Sequence, residues 1–142
     1  MGSVLEKVQL VKDESARIGE YFKTLSPEAW AIQSACDAWQ VSDVVAHLTG
    51  AVDRFGPNIV RGLAGDDSAP EGMPPAGVGD MAARLRANAQ VAIDFKESLG
   101  GDILVAYNDS RVRFDAVFAE VKEADKDKLC YHAAGTISIE TY

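Results

Sequence analysis

The chain has 142 residues, 47% of them hydrophobic and 25% charged, which suits one soluble domain with its own core and excludes wholesale disorder. Fourteen Lys and Arg against 22 Asp and Glu give a net charge of −8, which disfavours nucleic acid and anionic membranes as partners. No apolar stretch approaches the roughly 20 residues that span a bilayer, and the charged N-terminal residues are unlike a signal peptide. We therefore expect a cytoplasmic protein with a single domain over residues 1–142.

Four segments show helical periodicity, and none alternates in the manner of a strand. The first helix is predicted over residues 4–25, where apolar residues recur at spacings of three and four. Ser26-Pro27-Glu28 then combines a capping serine, a proline at the first helical position and an acid in the first turn. This pattern predicts one short helical turn that reaches Trp30.

The second long helix is predicted to begin at Ser42, whose side-chain oxygen would accept a hydrogen bond from the first turn. Asp43 next to it favours the positive end of the helix. Residues 64–79 contain four Gly and three Pro and predict a long loop, mobile or draped over the surface. The buried face of the helix before this loop is predicted to comprise Val44, Val45, Leu48, Val52, Phe55, Ile59, Val60 and Leu63.

Two further helices are predicted after the loop. Asp80 caps the third and Gly100-Gly101 ends it; a fourth helical stretch follows before a charged turn at residues 123–128. Residues 129–135 are expected to be irregular, and residues 136–142 to be either the capped start of a helix or a short strand. The fold class is all-α, an antiparallel up-down four-helix bundle. The apolar face of the third helix is predicted to be Met81, Leu85, Ala89, Ala92, Phe95 and Leu99.

Histidine is the residue type that decides between functions here, because the chain has only two. His47 lies at the margin of the apolar face of the second helix, so it is either a packed core residue or a metal ligand. Asp43, one turn earlier, could hydrogen-bond a ring nitrogen and fix its tautomer, or simply stabilise the helix N-terminus. His132 lies outside any periodic segment and is expected to be an exposed loop residue.

Other reactive groups offer less. Cys36 and Cys130 are far apart and in no CxxC pattern, so we expect two free thiols, buried or partly buried. Trp30 and Trp39 both precede the second helix and are expected to anchor the core. No serine–histidine–acid order, phosphate-binding loop or calcium loop is present in the sequence.

The motif Trp39-x-x-x-Asp43-x-x-x-His47-Leu48 resembles the opening signature of the DinB-like four-helix superfamily. It is most similar to the branch that contains the mycothiol-dependent maleylpyruvate isomerase N-terminal domain. Leu25-Ser26-Pro27-Glu28-Ala29-Trp30, Cys36 and Gly135 fit the same pattern. The resemblance implies an antiparallel bundle with a divalent metal, commonly zinc or nickel, held by three side chains. His47 matches the first of these ligands, with Asp43 as a candidate partner for its ring.

The other two ligands implied by the resemblance are an acid or histidine and a histidine four residues on, both in the last helix. This chain stops at Tyr142, where that helix is expected to have barely begun, and Glu140 falls before the ligand pair. We therefore expect a truncated last helix, one of three ligands, and either a piece of a longer protein or a member without the complete site. The apolar faces left open would favour a homodimer.

Three functions follow as hypotheses. In the first, the resemblance implies a metal-dependent transferase or isomerase that uses a low-molecular-weight thiol such as mycothiol or bacillithiol, with a small-molecule thiol or substrate as its partner. In the second, the chain is a non-catalytic helical binding or interaction module without a complete metal site. A third is a bundle that binds a small molecule between its helices without metal.

Overall fold

The structure, a computed structural model, describes residues 2–142 and confirms the all-α, four-helix architecture. Its helices are α1 (Val4–Lys23), α2 (Val41–Leu63), α3 (Met81–Leu99) and α4 (Ile103–Ala119). Two short antiparallel strands follow, β1 (Leu129–Cys130) and β2 (Ile137–Ser138). Within residues 2–142, no helix combines the length and the apolar character needed to cross a bilayer.

The helices alternate in direction, as two core clusters show. Phe22 at the end of α1 packs with Val45 near the start of α2 and with Ile103 at the start of α4. In the second cluster, Val4 at the start of α1 packs with Ile59 near the end of α2. Helix α1 therefore runs opposite to α2 and α4, while α3 runs back along α2, so the predicted up-down order is confirmed.

Several predicted helix ends are confirmed and one is wrong. The Asp80 side chain accepts a hydrogen bond from the Ala83 amide at 3.0 Å, as expected for the cap of α3. Helix α3 ends before Gly100, whose φ of 57° favours glycine. Helix α2, however, begins at Val41 with Gln40 as its N-cap, so Ser42 lies inside the first turn and does not cap the helix.

The predicted buried face of α3 is only partly buried. Ala92 is buried, and Phe95 and Leu99 pack against the cluster around Phe22. Met81 and Leu85, in the first half of the helix, remain exposed. Apolar spacing identified the helix correctly, but it did not show that the first half of α3 has little to pack against.

The C-terminal residues form a hairpin, which confirms the short strand that was one alternative for residues 136–142 and shows that the other, the start of a last helix, is wrong. The irregular structure expected at residues 129–135 is wrong for residues 129–130, which form β1. Leu129 pairs with Ser138, and Cys130 pairs with Ile137. Ile139 just beyond is buried in the cluster around Ile59. Residues 137–138 form a strand because the hairpin covers this end of the bundle with apolar side chains.

The loop between α2 and α3 is draped over the surface and attached to the hairpin. The Gly77 amide donates to the Ala133 carbonyl at 3.1 Å, and the Tyr131 hydroxyl donates to the Pro74 carbonyl at 2.9 Å. The Arg84 guanidinium also donates to the Ala133 carbonyl, at 3.1 Å. These bonds fix the path of the chain between α2, which carries His47, and α3, which packs beside it.

An apolar groove of about 470 Å³ lies open along α1, beside α4 and the C-terminal residues. Its walls include Val8, Val11, Phe55, Phe114 and Tyr142. Such a surface is what the sequence led us to expect of a bundle with uncovered apolar faces. The homodimer stays a prediction, which sedimentation equilibrium of the purified chain would check.

Candidate metal centre

The first turn of α2 is fixed by Asp43, which is buried with only 3% of its surface exposed. One carboxylate oxygen accepts a hydrogen bond from the Gln40 amide at 2.8 Å. The other lies 2.8 Å from the Lys96 ammonium of α3, with which it forms an ion pair. Asp43 therefore ties the start of α2 to the last turn of α3. Its hydrogen bond to the Gln40 amide is the helix-stabilising role considered from the sequence.

Trp39 supports the His47 side chain. The two rings lie 5.0 Å apart between centroids, tilted by 40°. The Trp39 indole N–H donates to the Ala89 carbonyl of α3 at 3.2 Å, which fixes the indole between the two helices. Trp39 was predicted to anchor the core, but it is half-buried and belongs to neither of the two core clusters; it ties the start of α2 to α3 and packs against the imidazole of His47.

The His47 imidazole has a buried nitrogen with no partner. Its Nδ1 atom makes no hydrogen bond to any residue between 2 and 142. Burial lowers the pKa of His47 below its usual value of about 6.5, and the positive charge of Arg54 lowers it further. His47 is therefore neutral at physiological pH, and a neutral imidazole is the form that binds metal.

Two grooves meet at His47, and both are also lined by Asn88 of α3. The larger has a volume of about 480 Å³ and is bordered by Arg54 and Phe95. The smaller, of about 350 Å³, is bordered by Cys36 and Trp39. We call these two grooves together the His47 groove. Its side chains combine apolar walls with a few polar groups, which is the usual character of a small-molecule site.

The ligand set for a metal ion is only partly present. In the part of the chain that the structure describes, no three His, Cys, Asp or Glu side chains are grouped so that they could hold a metal ion. The Asp43 carboxylate is engaged by Gln40 and Lys96, and Glu140 pairs with Lys7 at 2.9 Å. A neutral imidazole with an unpartnered nitrogen is suited to bind a metal, so His47 fits the role of a ligand. Among residues 2–142, it is the one histidine with such a nitrogen.

The second histidine has a different environment. His132 lies outside the helices and strands, as predicted, but it is half-buried and not exposed. Its ring stacks on Phe55 with 6.1 Å between centroids, and its Nδ1 accepts a hydrogen bond from the Ala134 amide at 3.2 Å. Because its Nδ1 atom accepts this hydrogen bond and its ring packs on Phe55, His132 is a packing residue in the loop of the C-terminal hairpin.

Sequence reasoning missed one groove residue, Asn88, and was wrong about the exposure of another, Cys36. Cys36 was expected to be buried or partly buried, but it is exposed, because the turn before α2 lies on the surface. Asn88 falls on a helix with no special spacing around it, so no signal marked it. Arg54 lies two helical turns after His47 on the same face of α2, as the spacing of seven residues predicts. The Arg54 guanidinium donates to the Asn88 side-chain oxygen at 3.2 Å.

Comparison with known proteins identifies the family. No curated protein and no solved structure matches the chain. The family model of the mycothiol maleylpyruvate isomerase N-terminal domain matches residues 11–136, which include the Trp39–His47 motif and all of α2, α3 and α4. This match covers most of the chain and agrees with the resemblance found in the sequence. The chain belongs to the mycothiol maleylpyruvate isomerase N-terminal domain family.

Proposed function

We propose that this chain is the metal-binding domain of a thiol-dependent transferase or isomerase, with His47 as a ligand of a zinc or nickel ion. The observation that carries the proposal is the buried, unpartnered Nδ1 of a neutral imidazole at the position of the family motif. A polar atom buried without a partner costs about 1–3 kcal/mol, so its presence calls for a role that repays the cost.

The residues around His47 have defined tasks in this proposal. Trp39 holds the imidazole in one orientation, and the ion pair between Asp43 and Lys96 holds α2 against α3 one turn before His47. A divalent metal, when bound, lowers the pKa of a coordinated thiol and so supplies a nucleophilic thiolate at neutral pH. Asp43 acts on the position of the helix that carries His47, and its oxygens are directed to Gln40 and Lys96.

The His47 groove suits a small thiol in size and chemistry. Its larger part, about 480 Å³, falls in the range of about 300–1,000 Å³ typical of small-molecule sites. Arg54 and Asn88 offer hydrogen bonds there, while Phe95 and Ala92 offer apolar contacts. We propose a low-molecular-weight thiol such as mycothiol or bacillithiol as the occupant.

One observation favours a second candidate function, a helical binding module without chemistry. Within residues 2–142 the ligands that would accompany His47 do not converge on it. In that case His47 would be retained only for its contact with Trp39. The two candidates differ in whether the purified chain takes up metal through His47 and whether a thiol then binds to it.

Proton release tests the proposed function. A free thiol with a pKa near 8.5 is mostly protonated at pH 7, so its coordination to a metal releases nearly one proton for each thiol bound. We expect zinc-loaded protein to acidify a weakly buffered solution when mycothiol is added, and metal-free protein to leave the pH unchanged. Thiol binding without proton release, or the same release by a His47→Phe variant, would contradict the proposal. Failure of the wild-type chain to load zinc would favour the binding module.

A further inference from the structure

The larger part of the His47 groove contains a positive charge that the protein does not balance. Arg54 lines it together with His47, two helical turns earlier on α2. Within residues 2–142, Arg54 forms no ion pair with a carboxylate. Its guanidinium is therefore a cation that remains available to a ligand in the groove.

The acidic residue that lines this part of the groove, Asp53, is already paired with another arginine. Its carboxylate lies 3.0 Å from the Arg113 guanidinium of α4 and accepts hydrogen bonds from it at 3.1 and 3.3 Å. The charge of Asp53 is thus balanced by Arg113. Since His47 is neutral at physiological pH, the charge that is left over in the groove is that of Arg54.

Two contacts fix the position of the Arg54 guanidinium. It donates to the side-chain oxygen of Asn88 on α3 at 3.2 Å, and its Cζ atom lies 5.5 Å from the centroid of the Phe55 ring. Because the oxygen of the Asn88 amide accepts this bond, the nitrogen of the same amide is left as a donor. A charged donor from α2 and a neutral donor from α3 therefore lie on neighbouring side chains.

We propose that Arg54 and Asn88 bind the carboxylate of the small molecule that occupies the His47 groove. The planar guanidinium matches a carboxylate in geometry, and the apolar walls formed by Val91, Ala92 and Phe95 suit the body of such a ligand. The chain as a whole, with a net charge of −8, repels anions, so a local cation is needed to attract one. This inference rests on the proposed function in taking the groove as the substrate site, but it does not require a bound metal.

Hexanoate and hexanamide, which share one hydrocarbon chain and differ in charge, test the inference on metal-free protein at low ionic strength. Their affinities would be measured from the chemical shifts of the α2 and α3 amides in NMR titrations. We expect the wild-type chain to bind hexanoate about tenfold more tightly than hexanamide, the margin that one charge-assisted hydrogen bond provides. Arg54→Gln should remove this preference, because glutamine keeps a donor without the charge, and Arg54→Lys should retain part of it.

Two further variants make the test specific to the pair. Arg86→Gln removes the same charge from an exposed position of α3 outside the His47 groove, so it should keep the preference for hexanoate. Asn88→Asp places a carboxylate of the protein next to Arg54. It should abolish the preference although the arginine is still present, because the guanidinium then has an internal counterion.

The contrary outcomes are equally definite. Equal affinities of the wild-type chain for the two probes, or no binding of either probe in the groove, would overturn the role of Arg54. A preference that persists in Arg54→Gln or in Asn88→Asp would overturn it as well. A chain that prefers hexanoate but does not load zinc would keep this carboxylate site and lose the metal centre, whereas a chain that loads zinc without the preference would lose only the carboxylate site.

Discussion

The replacement of each histidine by phenylalanine should have opposite effects on stability. His47→Phe keeps an aromatic ring against Trp39 and removes the buried Nδ1 that has no hydrogen-bond partner. His132→Phe keeps a ring against Phe55 but removes the acceptor of the Ala134 amide. The same chemical change thus relieves a buried, unsatisfied nitrogen at one site and removes a hydrogen bond at the other.

The magnitudes follow from the cost of unsatisfied polar groups. Relief of the buried nitrogen in His47→Phe should raise the free energy of unfolding of the metal-free protein by about 1–2 kcal/mol, part of the ~1–3 kcal/mol that such a group costs. For a chain of this length that corresponds to a rise of roughly 3–6 °C in Tm. His132→Phe should lower the free energy of unfolding by about 0.5–1.5 kcal/mol, the net value of one hydrogen bond.

Urea unfolding of the metal-free proteins, followed by circular dichroism, measures both effects. Chelator must be present throughout, because bound metal would stabilise only the protein that retains His47. A loss of stability in His47→Phe comparable to that in His132→Phe would contradict this prediction. It would show that His47 is a packed histidine whose nitrogen is satisfied in solution.

Three further predictions concern the packing and protonation around the site. Gly62→Ala should destabilise the fold by about 1–3 kcal/mol in thermal unfolding, because its Cβ would overlap the Cys130 sulfur. The control Gly50→Ala, whose Cβ would have its nearest contact at 3.6 Å, should be neutral or stabilising. The pKa of His47 is lower in the folded protein than in the unfolded chain, so the unfolded chain binds the proton first as the pH falls below about 6.5. Metal-free wild-type protein should therefore lose stability relative to His47→Phe between about pH 7 and 5. A difference in urea midpoints that stays constant across that range would contradict this prediction. Asp43→Ala should lower the free energy of unfolding in urea by at least about 2 kcal/mol, because it removes the acceptor of the Gln40 amide and the counterion of the largely buried Lys96 ammonium. Asp43→Asn should cost less, because it keeps an acceptor for the Gln40 amide. Equal losses in the two variants would contradict this assignment.

The helices could be predicted from the sequence because their signals are local. Apolar spacing, the cap at Asp80 and the glycine at position 100 each act within one or two helical turns, and the structure confirms them. The predicted start of α2 was wrong by one residue. The Asp43 carboxylate accepts a hydrogen bond from the Gln40 amide and so stabilises the first turn in the way that was expected of Ser42. Errors of this size are common at helix ends.

The C-terminal hairpin could not be predicted because its cause is not local. Residues 129–130 and 137–138 pair as strands because their apolar neighbours close the end of the bundle over Ile59. Gly62 on α2 leaves the space that the Cys130 sulfur fills. A contact between residues so far apart in sequence leaves no periodic pattern, so the sequence alone left helix and strand open.

The site was predicted in part. The motif around His47 identified the histidine, and the position of His47 at the edge of the apolar face of α2 placed it between helices, where the structure has it. The groove residues from other segments, Asn88 and Cys36, depend on how α3 and the preceding turn pack against α2. That packing is a tertiary property, which residue spacing within one helix does not contain.

The claim that His47 binds a metal ion can be checked by measuring the metal content per chain. Wild-type protein and His47→Phe, both without a histidine tag, would be exposed to zinc and nickel, dialysed free of loosely held ions and analysed by inductively coupled plasma mass spectrometry. We expect stoichiometric metal in the wild-type chain and background metal in His47→Phe, which should remain folded. Equal metal content in the two proteins, whether stoichiometric or at background, would contradict the claim.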